Sequence, residues 1–189
     1  MLTVLLLAMG LQNSPVMPDW ITRYQADHGA LDRLTRLDWT QDSLDRMDAF
    51  ATASLQRLRT EVDFKALDQT GKVDWVLMRA QIEHAASELG QARQRQEEAS
   101  PLLPFAGPLI GLVEQRLQRG FAAPEEAAAR LDQAVKDIEA LRKAWDETMA
   151  VARPTVANRE ARRCEELSGG LAEWSGFYSR YDPLFTWWC

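Results

Sequence analysis

The chain has 189 residues, the length of one domain, and can bury about 70% of its unfolded surface. Apolar residues make up 46% and charged residues 26%, a balance that excludes a disordered chain. The net charge of -6 argues against nucleic acid as a partner, because phosphate binding draws on clustered Lys and Arg. The densest basic spot, Arg159, Arg162 and Arg163, is followed at once by Glu165 and Glu166 and reads as a solvated helix face. Cys164 and Cys189 form no Cys-x-x-Cys pair and no disulfide framework.

Residues 1–18 read as a leader. Leu2 to Met9 is nearly all apolar, and Ala8-Met9-Gly10 has the small-x-small pattern of a signal-peptidase site. The first basic residue is Arg23, and the apolar run is short. A start codon placed too late accounts for both features; a buried first segment of the fold is the alternative. Export to a periplasm or the exterior is therefore one of two readings. A transmembrane span is not expected, because the run falls short of ~20 residues.

From Asp19 onward, helix follows helix. Pro18-Asp19 opens the first, with Trp20 and Tyr24 at i, i+4, and Gly29 is placed to end it. Leu44, Met47, Phe50, Ala51, Leu55, Leu58 and Val62 recur at helical spacing behind a cap at Thr40 or Asp42. After a link through Asp63 and Gly71, a long helix is expected over Lys72 to Ala99, about 40 Å at 1.5 Å per residue. Its apolar stripe is Trp75, Met78, Ile82, Ala85, Leu89 and Ala92, and its polar end, Arg93 to Glu98, is expected to project into water.

Pro101 and Pro104 break that helix. Leu109, Ile110, Leu112, Val113 and Leu117 form the next apolar face, stopped by Gly120. Pro124-Glu125-Glu126 starts a helix expected to reach Ala152, with Leu131, Val135, Ile138, Leu141, Trp145 and Met149 buried. Pro154 ends it, and Thr155 caps a last helix through Cys164, Leu167 and Leu171, weakened and bent at Gly169-Gly170. Tyr178 to Tyr181 then leads into a closing loop. The fold expected is all-α, an antiparallel bundle of five or six helices, two of them long.

Candidate chemistry is sparse. His84 and Glu88 share a helix face, but a zinc site needs three or four ligands, and no His-Glu dipeptide occurs. Neither Ser168-Gly169 nor Ser175-Gly176 lies in a Gly-x-Ser-x-Gly elbow. Cys164 has Arg162 and Arg163 beside it, which would lower its pKa, but neither histidine is near it in sequence. The residues taken alone assemble no catalytic, cofactor or metal site.

The C-terminal end differs in kind. Trp174, Phe177, Tyr178, Tyr181, Phe185, Trp187 and Trp188 crowd together, with Asp182-Pro183 as a turn opener. Such a cluster is either a packed corner or the wall of a groove. As a groove or interface, its surface comprises Tyr178, Tyr181, Asp182, Trp187 and Trp188. The Trp187-Trp188 face is expected to be partly exposed.

The segment Phe177-Tyr178-Ser179-Arg180-Tyr181-Asp182-Pro183-Leu184-Phe185-Thr186-Trp187-Trp188 closely resembles one in the bacterial family named domain of unknown function 885. Val73-Asp74-Trp75-Val76-Leu77-Met78-Arg79-Ala80-Gln81-Ile82 is similar to that family's Asp-x-x-Leu-Leu-Arg helix, and Ala30 to Gln69 fits its variable lead-in. The resemblance implies a helical, often exported protein similar to zinc metallopeptidases of the gluzincin kind, acting on a peptide-like substrate. It places the family's His-Glu zinc motif beyond the aromatic segment. On that basis residues 19–189 are expected to be the N-terminal helical part of a longer, zinc-dependent protein, its partner being the C-terminal part that carries the metal. No catalytic or metal residue carries over. The alternative is a freestanding helical module that docks a partner through its aromatic end.

Overall fold

A computed structural model describes residues 16–117, 120, 123–145, 153–181 and 183–189. Seven helices and two short 3-10 turns account for nearly all of them, and no strand occurs among them. The all-α expectation therefore holds. No helix among the described residues is long and apolar enough to cross a membrane.

Helix α1 spans Val16–Arg33 and stacks Trp20 on Tyr24 at 5.7 Å. It begins two residues before the expected Pro18, with Met17 already buried, and runs through Gly29 instead of stopping there. The His28–Asp32 pair at i, i+4 spans that glycine and supports the turn it would weaken. Helix α2, Gln41–Glu61, is capped by Thr40, whose Oγ1 accepts the Ser43 N–H at 3.2 Å. Helix α3, Gln69–Ala99, is capped by Asp68, whose carboxylate accepts the Gly71 N–H at 2.7 Å.

The polar end of α3 projects into water on one side only, where Gln94, Arg95 and Glu97 are exposed. Arg93 binds Asp45 at 2.9 Å and Asp48 at 3.1 Å on α2, while Glu98 meets Arg159 at 3.5 Å. The Gln41 hydrogen bond and then Arg93 hold the Asp45 carboxyl below the usual carboxylate value. A polar helix end is solvated only when no partner of opposite charge packs beside it.

A 3-10 turn at Ser100–Leu102 carries the chain past both prolines into α4, Ala106–Leu117. Gly120 closes that end by donating its N–H to the Gln115 carbonyl at 2.9 Å. Helix α5, Pro124–Lys143, is shorter than expected, and residues 146–152, Met149 among them, lie outside the described residues. Its buried stripe also differs: Ala127 and Ala134 are covered with Leu131, whereas Val135 and Trp145 are exposed. Small side chains on the inner face let α5 lie close to α4.

Helix α6 runs unbroken over Pro154–Tyr181, and a short α7 occupies Pro183–Trp188 where a loop was expected. The glycine pair does not interrupt α6. Gly170 is a contact point, where an added Cβ would stand 3.1 Å from Val113 Cγ1 on α4.

The apolar residues form two cores, not one. The first joins α1, α2 and α3 through Trp20, Tyr24, Leu58, Met78 and Ile82. The second joins α4, α5, α6 and α7 through Leu112, Val113, Leu167, Trp174 and Phe185. Leu37 and Trp39, on the segment between α1 and α2, belong to the second core. That segment and the contact of α3 with α6 tie the halves together.

Candidate functional site

Where the halves meet, α1, α2, α3, α6 and the segment 34–40 enclose an open cleft of about 490 Å³, within the range of small-molecule sites. Its apolar wall comes from α2 and α3, where Leu44, Ala51, Leu89 and Ala92 face it. The second half of the predicted α3 stripe thus lines a cleft instead of a core. An aromatic wall stands beside it: Tyr24 lies 5.2 Å from Phe50, and His28 meets the edge of Phe50 at 5.9 Å. Burial, with Asp32 adding to it, pushes the Tyr24 phenol above its usual value.

The polar wall belongs to α6. Its buried positions are Val156, Glu160, Arg163, Leu167, Gly170, Trp174 and Tyr178, an unbroken helical stripe in which two members are charged. Glu160 accepts from Arg163 at 3.0 Å and from Arg159 at 2.8 Å. The basic spot read from the sequence as a solvated face is therefore partly interior: Arg163 is buried, Arg159 half-buried, and Arg162 alone exposed. Arg163 also lies over the Trp39 ring at 5.1 Å, and the Trp39 indole N–H donates to Glu166 at 2.8 Å. Trp39 is held on its face and its edge by α6, which fixes the segment 34–40 against the cleft.

Cys164 departs from the sequence expectation. Its thiol is pushed up, first by burial and then by Glu160 and Glu165, while Arg163 is engaged with Glu160. His84 and Glu88 do approach, at 3.5 Å, but both are exposed. Among the described residues no three His, Cys, Asp or Glu side chains converge to hold a metal ion.

Among the described aromatic residues at the C-terminus, some turn inward and others face solvent. Tyr178 points inward, donates its O–H to the Gly120 carbonyl at 2.8 Å and stacks on Phe185 at 5.4 Å. Phe185 meets Trp174 edge-on at 5.0 Å in the second core. Trp187 is 75% exposed. Tyr181 ends α6, and its side chain, like that of Trp188 and all of Asp182, lies outside the described residues.

The cleft residues His28, Asp32, Trp39, Arg163 and Glu166 were not singled out by sequence as a site. One signal was there: Glu160 and Arg163 fall on the apolar phase of α6, where leucines belong. Comparisons with protein-family models, with curated proteins and with solved structures found no match.

Proposed function

We propose that the chain is a helical recognition module of a metallopeptidase-like protein, one that binds but performs no hydrolysis by itself. The metallopeptidase half of this reading rests on the resemblance carried by residues 73–82 and 177–188. The binding half is carried by one observation, the cleft between the two helical cores. Its polar side chains engage one another: Arg163 with Glu160, Glu166 with Trp39, His28 with Asp32. Groups tied in this way orient a ligand, whereas a nucleophile needs a base within reach of the proton it loses.

The test is zinc titration calorimetry on the purified chain, with a mixed fluorogenic peptide assay run in parallel. Expected are no stoichiometric high-affinity zinc site and no zinc-dependent turnover. A one-to-one zinc complex that hydrolyses the peptides would overturn the proposal.

A further inference from the structure

We infer that the outer face of α3 is a docking surface for the chain's own apolar segment, Leu2 to Met9. The inference stands apart from the cleft and goes beyond the binding reading given above. Three observations carry it: a second apolar stripe on α3, a groove that leads to it, and the composition and reach of the residues before Val16.

Helix α3 is apolar on two sides. Trp75, Met78 and Ile82 pack into the first core. Val73, Val76, Leu77 and Ala80 fall at i, i+3, i+4 and i+7 on the opposite side, and all four are exposed, Leu77 by 62%. Single exposed apolar side chains are ordinary, but a stripe at this spacing marks a helix face that takes a partner.

A groove of about 320 Å³ runs along the same helix. Val16, Met17, Val62, Ala66 and Leu67 give it an apolar lining, and Thr70 and Asp74 form its edge on α3. Val73 comes three residues after Thr70 and Leu77 three after Asp74, so the groove edge and the outer stripe are neighbouring rows of one helix. The groove begins at Val16, the first described residue.

Residues 1–15 lie outside the described residues, and their sequence fits this surface. Leu2 to Met9 is nearly all apolar, and residues 1–15 carry no charged side chain. Extended, Gly10 to Pro15 spans up to about 20 Å, whereas Thr70 to Ala80 covers about 15 Å of helix. The segment therefore reaches the stripe from Val16. A second copy of the chain is the competing occupant. It would bring a net charge of -6 against -6, whereas the tethered segment adds no charged side chain and acts at an effective concentration of about millimolar.

Labelling kinetics provide the test. The full chain carries Cys164→Ser, Cys189→Ser and Leu77→Cys, is purified from a host cytosol, and is selected by intact mass for retention of residues 1–9. Maleimide should modify position 77 at least about five-fold more slowly in this chain than in one that also carries Leu5→Ser, Leu6→Ser and Leu7→Ser. Lys136→Cys, placed on α5 instead, should react equally in both. In the reverse direction, Leu6→Cys should be protected by a similar factor, and Val73→Ser with Leu77→Ser should release it. Helical circular dichroism of each variant checks that the fold is kept. Equal rates at position 77 with and without the serines overturn the inference. Protection that rises with protein concentration, with a dimer in light scattering, assigns the face to a second copy and overturns it as well. Neither result touches the zinc titration, so the two proposals fail separately.

Discussion

Glu160 and Arg163 sit where the periodicity of α6 calls for apolar residues, and each is there because the other is. Moving two charges out of water costs several kcal/mol per ion unless pairing and hydrogen bonds offset it. Here Glu160 receives both Arg159 and Arg163, and Arg163 adds a stack on Trp39. Glu160→Ala leaves the Arg163 guanidinium buried without its carboxylate. It should lower unfolding free energy by about 3 kcal/mol in urea denaturation, and Glu160→Gln, which still accepts, by less. A loss under about 1 kcal/mol for the alanine variant would show that Arg163 escapes to solvent. The sequence shows two charges on a buried phase, but not which side chain answers them, because Trp39 lies far upstream.

At the scale of elements, most boundaries follow from local chemistry. Thr40 and Asp68 cap α2 and α3 with their own side chains, over three residues of chain. Two misjudged features depend on what packs alongside: the buried alanines of α5 and the unbroken passage of α6 through Gly169-Gly170. Gly170 and Gly176 make the point within one helix. A Cβ at Gly170 meets both γ carbons of Val113, at 3.1 and 3.2 Å, and valine is stiff about χ1. A Cβ at Gly176 meets nothing within 4 Å. Gly176→Ala should therefore stabilise the chain by about 0.5–1 kcal/mol, while Gly170→Val should destabilise it by about 1–3 kcal/mol. Thermal or urea unfolding of the pair checks this, and equal shifts would remove Gly170 from the α4–α6 contact.

Across the whole molecule, two cores meet through few links. Leu37 and Trp39 reach from the first half into the second core. Thr40 donates to Glu114 at 3.2 Å, and Glu173 receives Arg36 and Arg116 at 2.9 and 3.2 Å. The Arg36 hydrogen bond foremost holds the Glu173 carboxyl below its usual value. With these links intact the halves should unfold together, so far-UV circular dichroism and tryptophan fluorescence should give one coincident urea transition. Trp39→Ala removes the linking side chain that α6 holds by its ring face and its N–H and should separate the two transitions. Coincident curves in that variant would show that the remaining links, Leu37, Thr40–Glu114, Arg36–Glu173 and the α3–α6 contact, suffice to couple the cores.

The amino-acid order by itself determined the helical class, the cap at Thr40 and which helix faces carry apolar residues, since these arise within a few turns of chain. The two-motif resemblance is also a property of the sequence alone. Tertiary packing decided the division into two cores, the inward turn of Tyr178 and Phe185, the interior place of Arg163, and the cleft. The physical reason is that burial belongs to pairs of surfaces. A helix states which residues could be covered, and only its neighbours decide which are.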